Sequence, residues 1–305
     1  MSRDDRQSAV ASASYHVGAR RAYVETMTLI IAVANQKGGV GKTTTVVNLA
    51  QASAAHGLRV LMIDADPQAS LTIYAGADPR ALEAEGRTIH HWLLEDRTPD
   101  EVIVPTGTGG ADLLPSSIRF ASAESELLSA WNGASLLRER MGSLVEQAGS
   151  GDRRRRYDLV LIDCCPSLGL LTVNALAAAH QVLVPVKTDY LSLMGVSLLL
   201  ETVERVRARL NPGLEIMGVL PTMYDRRNAH DREALDELIE LLGERQRVFT
   251  PIGRSTVFDQ ASVEGVATLI SRPEHKALDG YREIVARLTR RTAGERREEV
   301  TIDGR

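Results

Sequence analysis

The chain predicts an α/β fold, a mostly parallel twisted sheet with helices on both faces, and three observations carry that expectation. Short apolar runs rich in β-branched residues alternate with helical stretches along its 305 residues, as in parallel strands covered on both sides. The first run, Leu29 to Ala34, passes through a glycine-rich turn directly into a helix, Thr43 to His56, which Gly57 ends. Several runs finish in Asp or in a Pro-Thr pair, and the carboxyl ends of strands are where such sheets bind ligands.

The elements follow in order. Arg59 to Ile63 is a short strand ending in Asp64, Asp66 and Pro67. A mixed stretch from Ala69 to Ser150 holds helical pieces at Thr88–Leu94 and Ala121–Gln147, with a short strand ending at Asp112–Ser116. Four arginines, Arg153 to Arg156, precede the buried-type strand Tyr157–Asp163; such a run is usually a solvated face. Gln181–Val186 and Ile216–Leu220 are further strands, and Leu193–Leu210, Asp231–Leu242 and Ala277–Arg290 are helices. Without a repeat or linker the expected layout is one domain over 27–291, after a disordered polar extension, 1–26, and before a charged tail, 292–305. Met27 is placed to serve as an alternative start.

Composition narrows the function. A net charge of −4 excludes a globally basic nucleic-acid binder but leaves room for a local basic patch. Aromatic residues at 4% argue against stacking platforms for single strands, so duplex DNA held by its phosphates is the nucleic acid still open. The two cysteines, Cys164 and Cys165, are adjacent, which suits neither a disulfide nor a zinc site and reads as cytoplasmic. No apolar run approaches a membrane span, and the first 26 residues lack a signal core.

The chemistry gathers in Asn35-Gln36-Lys37-Gly38-Gly39-Val40-Gly41-Lys42-Thr43-Thr44. Strand, glycine-rich turn and helix are the context of a P-loop, whose backbone N–H groups close around phosphates at a helix N-terminus. Lys42 would reach the β/γ-phosphates and the Thr43 hydroxyl would ligate magnesium. Gln36 stands where the standard pattern has its first glycine, and Lys37 adds a second lysine. Two lysines exceed what one nucleotide needs within one subunit. If each subunit lends Lys37 to its partner's nucleotide, the nucleotides hold an isologous dimer together. Asp163 ends its strand as a Walker B carboxylate does, holding the metal through water. Of Asp64 and Asp66, one can orient an attacking water while the other contacts the metal shell.

The loop, together with Asp64-Ala65-Asp66-Pro67-Gln68, Asp163 to Gly169 and Pro221 to Asp225, resembles the deviant-Walker-A P-loop ATPases of the ParA/Soj family of chromosome and plasmid partition proteins. The likeness runs from about Met27 to Leu288. It implies catalytic roles for Lys37, Lys42 and Asp66, and phosphate binding by Gly38, Gly39, Val40, Gly41, Lys42, Thr43 and Thr44. Magnesium would be served by Thr43, Asp64, Asp66 and Asp163, and adenine by Met223, Pro251 and Ile252. Pro166 to Gly169 would form a switch, with Cys165 replacing the first of two family prolines.

The resemblance further implies an ATP-held homodimer on the nucleoid, bound to duplex DNA without sequence preference and stimulated by a ParB-like centromere-binding protein. Arg254, Arg272 and Lys276 are the candidate DNA contacts. The main alternative is a MinD-like membrane ATPase, which needs an amphipathic C-terminal helix; the tail offers only Val300 and Ile302 among acidic residues. Adjacent cysteines do not suit an iron–sulfur reductase ATPase of the same superfamily, and Asp66 argues against a scaffold without turnover.

Overall fold

The computed structural model describes residues 28–107, 110–149 and 157–302; the expected extension 1–26 and the arginine run 153–156 lie outside the described residues. The strands are β1 (Leu29–Val33), β2 (Val60–Ala65), β3 (Val104–Pro105), β4 (Ala111–Leu114), β5 (Leu159–Cys164), β6 (Gln181–Lys187) and β7 (Glu215–Thr222). They form one seven-stranded sheet in the order β3-β4-β2-β5-β1-β6-β7. Only the β3–β4 pair is antiparallel, so the expected α/β architecture is what the chain adopts. The strand order places β1 between β5 and β6, and the loop after β1 therefore opens at the centre of the sheet's carboxyl edge.

The helices are α1 (Lys42–Ala55), α2 (Ser70–Tyr74), α3 (Pro79–Ala84), α4 (Ile89–Leu94), α5 (Pro99–Val102), α6 (Ala123–Ser129), α7 (Leu136–Gly149), α8 (Leu170–Ala178), α9 (Tyr190–Arg209), α10 (Ala229–Leu242), α11 (Val257–Glu264), α12 (Thr268–Ser271) and α13 (Asp279–Ile302). Strand side chains alternate between faces, and both faces are covered. Ile30 and Ala32 pack with α4, α7, α8, α9 and α10. Leu29, Ile31 and Val33 pack with α1, α12 and α13.

Several boundaries differ from expectation for local reasons. The helix expected over 121–147 is divided at Asn132 and Gly133, residues that favour turns. The Asn228 side chain accepts from the His230 N–H and starts α10 two residues before Asp231. Asp189 caps α9 in the same way, through Ser192 N, ahead of the expected Leu193. The expected charged tail continues α13 to Ile302, consistent with its Glu and Arg being strong helix formers. After α10 the chain runs extended beside β7, through Phe249 N to Val219 O and Ile252 N to Pro221 O, without becoming a full strand. Among the described residues no helix is long and apolar enough to cross a membrane.

Candidate functional site

The loop between β1 and α1 is pinned to β6 and β7, the two strands that follow β1 toward one edge of the sheet. Asn35 Nδ2 donates to the Pro185 carbonyl on β6 at 2.7 Å and is buried. Thr222 Oγ1, at the end of β7, donates to the Val40 carbonyl at 3.0 Å. Gly39 and Gly41 take positive φ, 69° and 85°, the region glycine enters without steric cost. Gly41 occupies the N-cap of α1, where no side chain caps the helix. The first N–H groups of α1 are thus left for a ligand, at the end of the helix where partial positive charge gathers. Lys42 is buried and arches back over the loop, its Nζ 3.1 Å from the Lys37 carbonyl. An uncapped helix end beneath a buried ammonium is a chemical environment for phosphate.

Beside it lie the carboxylates of β2 and β5, whose Asp64 and Asp163 pair in register. Thr43 Oγ1 donates to Asp163 Oδ2 at 2.6 Å. Asp163 Oδ1 is buried without a partner, and the open oxygen sits on a fully enclosed side chain. Burial, with the charge of Asp64 next to it, pushes the Asp163 carboxyl up to about 8. Asp64 is raised to about 7, chiefly by burial, against hydrogen bonds from Thr72 and Asp66 that favour its charge. Asp64 is directed inward: Oδ2 accepts from Thr72 N at 2.8 Å and Thr72 Oγ1 at 2.7 Å. Asp66 lies in the turn after β2, where its Oδ1 accepts from Gln68 N at 2.9 Å.

Lys37 is directed away from the loop. Its Nζ donates to Asp189 at 2.9 and 3.2 Å and to Ser192 Oγ at 2.8 Å, and Lys187 reaches the same carboxylate at 3.0 Å. Partial burial pushes the Asp189 carboxyl up, but the hydrogen bonds from Lys37, Ser192 and Lys187 outweigh it and hold the group well below the usual range.

On the β7 side a cavity of about 240 Å³ opens beyond Gly41 and Thr44, lined by Met223, Ile252, Phe258 and Tyr281. Of the residues expected at adenine, Met223 and Ile252 line this cavity; Pro251 is not among the lining residues, whereas Gly253 and Arg254 are. The extended segment beside β7 delivers these residues, and the start of α13 braces it. Gly280 is required there, since an added Cβ would lie 2.1 Å from the Thr250 carbonyl. Tyr281 Oη then meets Thr45 Oγ1 of α1 at 3.2 Å.

The basic candidates are less gathered. Arg254 is exposed and also lines a cleft of about 440 Å³ shared with Asp189 and Asp231. Lys276 is exposed. Arg272 is held by both oxygens of Glu264, at 3.0 and 3.2 Å. Sequence reasoning missed Asp189, Ser192, Thr72, Phe258 and Tyr281. Only Asp189 left a local signal, as an Asp three residues before a Ser at a helix start.

Fold and site together define a P-loop nucleotide-binding protein. The chain matches the family described as an AAA domain over residues 28–216. It is similar to the sporulation initiation inhibitor protein Soj of Bacillus subtilis, 37% identical over 254 residues that cover 83% of this chain and 94% of that one. It is likewise similar to the chromosome partitioning protein ParA of Caulobacter vibrioides, 39% identical over 216 residues, 71% of this chain and 77% of that one. Among solved structures, cobyrinic acid a,c-diamide synthase from Mycobacterium smegmatis with bound ADP and magnesium is 37% identical, with a TM-score of 0.70 over 87% of this chain and 95% of that one. The chain belongs to the ParA/Soj family of P-loop ATPases.

Proposed function

We propose that this chain is a DNA-partitioning ATPase that dimerises around two Mg–ATP, holds duplex DNA without sequence preference, and hydrolyses ATP when a ParB-like partner stimulates it. Residues 27–291 are its ATPase body, and its place is the nucleoid in the cytoplasm. The observation that carries the nucleotide chemistry is the Thr43–Asp163 hydrogen bond below the uncapped end of α1, with one buried carboxylate oxygen left open.

The donor set fits magnesium, which takes few protein ligands beside phosphate oxygens and water. The Thr43 hydroxyl would hold the ion directly and Asp163 through water, the unpartnered Oδ1 being the oxygen that needs such a donor. Bound there, the ion supplies charge that neutralises phosphate oxygens. Lys42 and the N–H groups of α1 bind and orient the phosphates. Asp66 stands free enough in its turn to accept a proton contact from the attacking water. The base enters the cavity between Met223, Ile252 and Phe258.

Lys37 would serve a second protomer. It starts from three hydrogen bonds to Asp189 and Ser192, so dimerisation includes exchanging Asp189 for the partner's phosphates. Arg254 and Lys276 are the exposed cations for DNA phosphates; Arg272 would first have to leave Glu264.

Co-sedimentation with plasmid DNA and, separately, with anionic liposomes, each with ATP or ADP, tests the reading. The expected result is pelleting with DNA in ATP alone, lost at high salt. ATP-dependent pelleting with liposomes and not DNA would establish the MinD-like alternative instead. No ATP-dependent DNA binding would also remove the distinction from diamide synthesis, the activity in the name of the Mycobacterium smegmatis relative.

A further inference from the structure

The turn that carries Asp66 is anchored at its start by a buried carboxylate. Asp64 Oδ1 accepts from Asp66 N at 3.2 Å. Its other oxygen, Oδ2, accepts both the N–H and the hydroxyl of Thr72 at 2.8 and 2.7 Å. The residue that aims at the reacting water is thus tied through Asp64 to a threonine on α2. Thr72 Oγ1 also accepts from Ser116 N at 2.9 Å, which fastens the turn to the segment after β4. Asp64, Thr72 and Ser116 are all fully buried, so water cannot replace any of these bonds cheaply. Between the tied ends, Ala69 is held at a φ of 55°, a conformation a non-glycine residue keeps only when its surroundings over-determine it.

A hydroxyl is the group this position needs. It donates to Asp64 and accepts from Ser116 at once, whereas a methyl in its place would leave a carboxylate short of a donor and a backbone N–H without an acceptor. We propose that the Thr72 hydroxyl is a positioning group for Asp66 in ATP hydrolysis, acting through Asp64. This assignment rests on the ATPase reading above and names a residue of its machinery. Thr72 lines neither the base cavity nor the phosphate loop, so its effect falls on turnover and not on nucleotide affinity.

The test compares the full chain with Thr72→Val, Thr72→Ala and Thr72→Ser, reading single-turnover hydrolysis of Mg–ATP and the affinity for a fluorescent ATP analogue. The expected result is turnover lowered about 10- to 100-fold in Thr72→Val, the scale of a misplaced catalytic group, with affinity within about twofold. Thr72→Ser, which keeps donor and acceptor, restores most of the rate. A Thr72→Val rate equal to the wild type overturns the assignment. So does loss of nucleotide binding in both Thr72→Val and Thr72→Ala, or a Thr72→Ser rate as low as that of Thr72→Val, since either makes Thr72 a folding or packing residue. A wild-type chain that binds the analogue but never turns over ATP, even with duplex DNA and a ParB-like partner present, overturns the ATPase reading itself, and this assignment with it.

Discussion

The carboxylates ending β2 and β5 and the ion pair ending β6 flank one glycine loop, yet they are finished in opposite ways. On one side Asp163 is enclosed with an oxygen left open and a raised proton affinity. On the other, Asp189 is oversupplied by two lysines and a serine. The first region is costly until a cation arrives, because a buried carboxylate with one oxygen unpartnered is destabilising. The second is content by itself and must be undone before Lys37 can act elsewhere. One side of the loop waits for a ligand; the other waits for a competitor.

The comparison breaks most sharply at the lysines. Lys42→Ala should raise the dissociation constant for an ATP analogue more than a hundredfold, on the order of 3 kcal/mol, as loss of a buried charge partner does. Lys37→Ala should leave that affinity nearly unchanged and abolish ATP-dependent dimers in analytical ultracentrifugation. Dimers persisting in that variant would remove the trans role from Lys37.

Asp163→Asn separates stability from function. Without the buried charge the nucleotide-free protein should melt about 2–4 °C higher at pH 8. Magnesium-dependent nucleotide affinity should fall about 10- to 100-fold, as for a group that orients a metal's water. Equal falls in both quantities would mean that Asp163 is merely structural.

The same carboxylates set a pH trend. Folded values of about 7 and about 8 stand above the ordinary 3.8, so the folded chain binds more protons than the unfolded one between those limits. Their contribution to the stability of nucleotide-free protein is therefore full below about pH 4 and is lost as pH rises through 7 to 8. Thermal melts across that range should show the decline, and Mg–ATP should flatten it.

The smallest expected effect concerns the satisfied side. Asp189→Asn keeps the cap of α9 but weakens the hold on Lys37. Both side chains are about one-third exposed, so the pair is worth at most about 1 kcal/mol. With one such pair per protomer, ATP-dependent dimers should then form at up to about 30-fold lower protein concentration. A shift the other way would mean that Asp189 contributes to the dimer itself.

What the sequence made legible follows from distance along the chain. Lys37, Lys42 and Thr43 are read from ten consecutive residues, and Asp163 from the end of an apolar run. Thr72 and Asp189 matter through partners 8 and 152 residues away, and no local spacing reports such a meeting. Tyr281 reaches Thr45 across 236 residues, and Phe258 joins the base cavity from a helix whose sequence carries no motif. The divided helix before β5 was misread because Asn132 and Gly133 interrupt an otherwise periodic stretch. The helix expected to end at Arg290 runs on to Ile302 because the Glu and Arg of the charged tail also propagate helices.

The opening turn of α13 joins the two ends of the proposed nucleotide site, which are otherwise far apart in the fold. Gly280 rests against the segment that frames the cavity proposed for the base, and Tyr281 reaches α1, the helix proposed to receive the phosphates. Adenosine alone and triphosphate alone would therefore press on the same few backbone amides. Hydrogen exchange over residues 277–285 is where occupancy of either end would be felt, and a chain cut short before this turn would lose affinity for both halves together.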